Sequence, residues 1–248
     1  MKTWRRFLSA VSFLTRVPLP SSVQLDEASL SESPPMFPVV GALIGAAVAS
    51  FDYLVCLILP SPAVAVVDLA AVFLLTGGLH LDGLLDTADG LLSGKPRERA
   101  LEIMKDSRVG AMGVAVGILL VGLKVASIAA LAGERRFAAL LLAPVLGRYA
   151  MLTGMTVFPY ARTAGGLGSL FKDKVRLHWM VAPGVFAVAL AAAVAGVPGI
   201  AAFAACVLMA LGLGRLVTGR LGGLTGDVHG ALCEVAEAAV YVVFAARW

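Results

Sequence analysis

Apolar residues follow one another along this chain in long, nearly unbroken runs, and polar residues gather between them. Seven runs, at 36–59, 62–79, 109–131, 137–158, 179–197, 198–217 and 229–246, are long enough, or nearly so, to cross a hydrocarbon layer of about 30 Å, which takes about 17–25 helical residues. Helices are the expected form, because an unclosed sheet would leave backbone groups unpaired in lipid. Prolines mark the ends: Pro60 and Pro62 between the first two runs, Pro159 after the fourth, Pro198 between the fifth and sixth. Lys124 interrupts the third run, and Glu234 and Glu237 the seventh. Before the first run, Trp4, Phe7, Leu8, Val11 and Leu14 share one helical face, which predicts an interfacial helix over 1–20. That apolar patch is too short for a signal peptide, Arg16 follows it, and no small-x-small cleavage site appears.

Composition sharpens this into a class. Of 248 residues, 59% are hydrophobic and 15% charged, against about 45–50% and about 25% in soluble domains. The expected fold is therefore all-α, a polytopic membrane helical bundle of about seven transmembrane helices forming a single domain over 1–248. Cys56, Cys206 and Cys233 all lie within apolar runs and read as small core residues. Lys and Arg set the orientation. Lys2, Arg5, Arg6 and Arg16 precede the first span, and Lys95, Arg97, Arg99, Lys105 and Arg108 follow the second. Arg162, Lys172, Lys174 and Arg176 follow the fourth, and Arg215 and Arg220 end the sixth. The other side holds only Arg135, Arg136 and Arg247. This places the N-terminus in the cytoplasm and the C-terminus outside. It also accounts for the basic balance without nucleic acid as a partner.

The acids cluster on the cytoplasmic side. In Gly-Gly-Leu-His-Leu-Asp-Gly-Leu-Leu-Asp-Thr-Ala-Asp-Gly, residues 77–90, helical spacing puts Asp82, Asp86 and Asp89 on one face. Three such carboxylates repel unless a cation sits among them. An all-oxygen set emerging from a span suits Mg²⁺ or another hard divalent ion completed by water and phosphate; the plainer alternative is a solvated acidic face. His80 alone reads more readily as a hydrogen-bonding residue than as a ligand. In residues 103–113, Lys105 and Arg108 flank Asp106, and Gly110 and Gly113 open the third span, a pattern that suits either a held phosphate or an ordinary basic flank. The third cluster is Asp227, Glu234 and Glu237, again on one face. Asp227 could cap the seventh span, but two glutamates inside a span are costly and usually functional. Arg148, mid-span, is either their counter-ion or a phosphate clamp. Asp52, Asp68 and Lys124 lie at matched depths near the outer side and are expected to pair with one another structurally. The two acidic faces are expected to converge, with Lys105 and Arg108 closing the third side of an acidic cytoplasmic site centred on the 80–108 loop.

These residues resemble the cobalamin synthase family, the adenosylcobinamide-GDP ribazoletransferases, over nearly the whole chain. The landmarks are Phe-Leu-Thr-Arg-Val-Pro (13–18), Phe-Pro-Val-Val-Gly (37–41), residues 77–90, Ile-Met-Lys-Asp-Ser-Arg-Val-Gly (103–110), Gly-Arg (147–148), Gly-Leu-Gly (166–168) and Thr-Gly-Asp (225–227) with Glu234 and Glu237. The resemblance implies transfer of adenosylcobinamide phosphate from adenosylcobinamide-GDP to α-ribazole or its 5′-phosphate, with GMP leaving and Mg²⁺ required. It implies metal ligands among Asp82, Asp86, Asp89, Asp227, Glu234 and Glu237. Asp106, Asp227 and Glu234 would be further ligands or the general base. His80, Lys105, Arg108, Arg148 and Arg16 would be the substrate- or phosphate-binding candidates. It also implies a prokaryotic cytoplasmic membrane location, and leaves room for a homo-oligomer or for other cobalamin-assembly enzymes as partners. Two rival readings are a CDP-alcohol phosphotransferase and a divalent-cation transporter. The first would need Ala-Arg after Asp-Gly, whereas Leu91-Leu92 follow Asp89-Gly90. The second would place its acids near the bilayer midplane.

Overall fold

A computed structural model describes residues 2–19, 26–162, 170–171 and 175–246. Gly166, Gly168, Lys172, Lys174 and Arg247, all singled out in the sequence, lie outside the described residues. The first helix, α1 (Lys2–Leu14), buries Leu8 and Leu14 and leaves Trp4 exposed, as its amphipathic pattern predicts. It is tied to α2 (Glu27–Ser31) by an Arg6–Glu32 ion pair of 2.6 Å and a hydrogen bond between Ser9 and Ser29. At its far end Phe13 stacks on Phe37 and meets Phe171 edge-on.

The bundle is built around α8 (Gly133–Val157), which is buried along most of its length. Helix α3 (Phe37–Val55) packs directly on its backbone, because Gly41 and Gly45 lie against the carbonyls of Pro144 and Leu141. Between helices in lipid there is little hydrophobic driving force, so such small-residue contacts do the packing. Helix α10 (Gly226–Ala245) covers the opposite side, with Cys233 and Glu237 against Gly147 and with His229 and Leu232 against Gly154.

Two breaks shape the rest. Helix α4 (Ser61–Thr76) ends at Gly77 and Gly78, whose φ values of 67° and 71° suit glycine alone. The chain turns there by 94° into α5 (Leu79–Leu92), which is too short to span a bilayer by itself. After α6 (Arg97–Ile103) and α7 (Ala111–Ala129), the second break falls within α9 (Val181–Leu221). Its 41 residues would make a rod of about 62 Å, twice a bilayer's apolar thickness. Gly196 leaves helical geometry at φ 58° and ψ −130°, and the chain folds back so that Gly199 packs on the Ala191 carbonyl. Among the described residues, five helices are long and apolar enough to cross a membrane, and the bent α4–α5 pair makes six. Counting the two arms of α9 separately gives the seven stretches read from the sequence.

The outer-side ion pairing differs from expectation. Asp52 and Asp68 do not pair with Lys124. Arg136 sits between them, at 2.6 and 2.7 Å, and its fork also reaches Ser61 and the Ile128 carbonyl. The planar guanidinium fork meets both carboxylates from between them, while Lys124 on α7 turns to other partners. Because Arg136 is absorbed in this triad, even fewer free cations face the outer side. Cysteines at exposed Lys95 and Glu134, introduced one at a time with exposed Cys56 replaced by Ala, are expected to label from opposite faces of sealed vesicles. Labelling of both from one face would overturn the topology.

Candidate active site

Helices α5 and α10 cross closely because both are glycine where they touch. A Cβ on Gly83 would stand 2.6 Å from the Asp227 carbonyl oxygen, and one on Gly230 would stand 3.0 Å from that of His80. This crossing brings the first turns of the two helices together, and with them His80, Asp82, Asp227 and His229. Thr225, not Asp227, caps α10, accepting a hydrogen bond from the Val228 N–H. The Asp227 carboxylate is thereby left free for other partners.

A third segment closes the site. Past the end of α8 the chain runs extended beside residue 224, with Leu224 N–H donating to the Pro159 carbonyl and Ala161 N–H to that of Leu224, both at 2.8 Å. Arg97 clamps the join by donating to the carbonyls of Leu221 and Ala161. Tyr160 and Arg162 are so delivered to Asp227, whose Oδ2 accepts from Arg162 Nη2 at 2.9 Å. The result is a cavity of about 160 Å³ lined on one side by His80, Asp82, Tyr160, Arg162, Asp227 and His229, and on the other by Phe13, Met151, Met155 and Phe171. Four buried polar atoms of this lining have no partner among the described residues: His80 Nε2, His229 Nδ1, Tyr160 OH and Arg162 Nε. Buried polar atoms are normally satisfied, so this concentration marks a place built for a polar ligand.

The residues singled out in the sequence divide into groups. Asp82 and Asp227 line the cavity, and Asp86 lies one turn further along α5, half-buried. It faces the charges of Asp82, Asp227 and Asp89. Asp89 is turned away: it accepts from the N–H groups of Gly110 and Gly113 at 2.7 and 2.8 Å, so it occupies the start of α7, where a held phosphate was one of two readings. Lys105 and Arg108 do not close the third side; Arg162 does. Arg108 is exposed and forms a fork with Asp106, which holds the Asp106 carboxyl down at about 2. Arg16 packs over Gly77 at the bend leading into α5.

Glu234 and Glu237 are not brought to the cavity. They lie deeper in α10, where Lys124 of α7 donates to both, at 2.7 and 2.8 Å, and Arg148 donates to Glu237. Two cations and two anions are thus neutralised among themselves, and Arg148 is the counter-ion. Tyr160, Arg162 and His229 were not among the site residues singled out in the sequence. The one signal was the run of Pro159, Tyr160 and Arg162 directly after a span, where Arg162 read only as a basic flank.

The chain matches the cobalamin-5-phosphate synthase family over residues 6–245. An adenosylcobinamide-GDP ribazoletransferase of Roseiflexus sp. (strain RS-1) is 43% identical over 228 residues, 92% of this chain and 84% of the relative. The enzyme of the same name from Desulforamulus reducens is 40% identical over 95% of this chain and 93% of its own. That of Acetivibrio thermocellus is 35% identical over 98% of both. No solved structure matches the chain.

Proposed function

The chain belongs to the cobalamin-5-phosphate synthase family, and from that premise we propose that it is a membrane-embedded transferase joining adenosylcobinamide-GDP to α-ribazole or α-ribazole 5′-phosphate, with release of GMP. The observation that carries this reading is the cavity in which the carboxylates of Asp82 and Asp227 share walls with unpartnered atoms of His80, Tyr160 and Arg162. In the reaction a ribazole hydroxyl oxygen bonds to the phosphorus that carries cobinamide. The bond from that phosphorus to the GMP oxygen breaks, and the hydroxyl proton is lost. Such a transfer needs placement and charge stabilisation more than covalent help from the protein. Arg162 and His80 supply donors for phosphate oxygens, while Phe13, Met151, Met155 and Phe171 give an apolar wall that excludes water.

The donor set fits Mg²⁺. No group of three His, Cys, Asp or Glu side chains among the described residues is closed into a ready-made cage. However, Mg²⁺ usually takes one or two carboxylates, keeps waters and shares substrate phosphate. Asp82 and Asp227 would hold it with hard oxygen ligands, with Asp86 one turn along α5 and Arg162 as the counter-charge paired with Asp227. When bound, the ion would neutralise charge developing on the diphosphate. Neutralisation of Glu234 and Glu237 by Lys124 and Arg148 weighs against a cation transporter, which would keep its deep acids available. The clustering of Lys and Arg supports a cytoplasmic-membrane protein whose site opens to the cytoplasm. Release of GMP by purified protein, given adenosylcobinamide-GDP and α-ribazole with Mg²⁺ and then with chelator, tests the reading. Absence of GMP with Mg²⁺ present would overturn the reaction, and undiminished release with chelator would overturn the metal.

A further inference from the structure

The hydrogen bond between Arg148 and His80 has only one permitted direction. Arg148 is wholly buried on α8, with Nη1 donating to Glu237 and Nη2 lying 3.3 Å from Nδ1 of His80. A guanidinium offers N–H donors only and does not give up its proton in proteins. Nδ1 of His80 must therefore accept, and the ring's proton belongs on Nε2. That nitrogen is buried, has no partner among the described residues, and belongs to a ring lining the cavity beside Asp82, Arg162 and Asp227. Arg148 itself is held in place from behind, since Glu237 is shared with Lys124 and Lys124 with Glu234.

We infer that Arg148 is a positioning residue that locks His80 in the Nε2–H tautomer, making His80 a fixed hydrogen-bond donor to an acceptor oxygen of a phosphoryl ligand and not a proton acceptor. The identity of the ligand rests on the proposed transferase reading, whereas the tautomer does not. An Nε2–H with no acceptor among the described residues gains its bond when ligand arrives, and a donor fixed in advance needs no reorganisation. A base at this position would need a free lone pair facing the cavity, and the Arg148 contact puts the lone pair on the other side.

The chain has three histidines, which makes selective labelling tractable. In ¹⁵N-histidine protein in lipid nanodiscs, free of metal and substrate, the signals lost in His80→Gln identify His80. The expected pattern is one protonated Nε2 and one unprotonated Nδ1 in a single tautomer. A proton on Nδ1, or an averaged pair, would overturn the inference. In Arg148→Gln the direction is no longer imposed, and the His80 pair is expected to average; an unchanged pair would remove Arg148 from the role. Should that variant fail to fold, turnover decides. His80→Gln keeps an N–H near Nε2 and is expected to stay within about tenfold of wild type, while His80→Phe loses about 10- to 100-fold. Equal losses in both would overturn the donor role. Failure of wild-type protein to release GMP would sink the transferase reading and leave the tautomer measurement standing.

Discussion

Lys124→Met is expected to abolish most of the folded protein. The substitution leaves Glu234 and Glu237 facing each other with Arg148 as their only cation among the described residues, and the side chains of Lys124 and Glu237 are 3% and 2% exposed. Removing one partner of a buried ion pair costs about 3–5 kcal/mol, a large share of a total stability of about 5–15 kcal/mol. The loss should appear as a collapse in detergent-extracted yield and in the melting temperature of what remains. The double variant Lys124→Met, Glu234→Gln restores neutrality, with one arginine facing one glutamate. It should therefore recover most of the yield. If the single variant melts like wild type, the four charges are not what holds α7, α8 and α10 together.

Asp82→Asn is expected to do the reverse, leaving the fold intact and removing turnover. Asp82 is exposed at the start of α5 and makes no ion pair among the described residues, so the stability of the variant should move within the range of a surface change, about 0.5 kcal/mol. If its carboxylate holds Mg²⁺ against the diphosphate, GMP release should fall by at least about 10²–10³-fold, the scale of losing one charge-stabilising group from a preorganised site. The control is Asp106→Asn. Asp106 belongs to the same acidic loop but is engaged with Arg108 outside the cavity, and its turnover should remain within about threefold, as for a surface ion pair. Equal losses in the two variants would mean that the acidic loop as a whole, and not the cavity, carries the activity.

The contrast between these carboxylates shows what the sequence could reveal. The spans were legible because an apolar run is a local property, and so was the shared face of Asp82 and Asp86, which follows from helical spacing alone. The union of that face with Asp227 could be expected only with a shared cation to offset the repulsion between them, and it depends on Gly83 and Gly230, whose role as contact points emerges only when the helices cross. The partners of the deep charges were not legible. Depth alone matched Lys124 with Asp52 and Asp68, whereas the azimuth of α7 turns it to Glu234 and Glu237. Asp89 looked identical to Asp82 and Asp86, yet the rotation of α5 points it at the N–H groups of α7. Arg162 reaches the site through two backbone hydrogen bonds to residue 224, a long-range pairing with no periodic signature.

The four-charge network also has a history within each round of synthesis. Lys124 leaves the ribosome 113 residues ahead of Glu237. At about 5–20 residues per second, that is an interval of roughly 6–23 s. During it α7 stands in or beside the bilayer with an ammonium that has no counter-charge, and a lysine at a helix centre costs about 2.5–3.5 kcal/mol to insert. The other eighteen residues of α7 include no second charge, so the helix is apolar enough to carry one. Lys124 also lies only five residues from the end of α7, within reach of the interface for a long, flexible stem. A glutamate has a shorter stem and less reach. Because the lysine helix comes first, the charge that waits alone is the one best able to wait, and α10 brings its two acids to cations already in place.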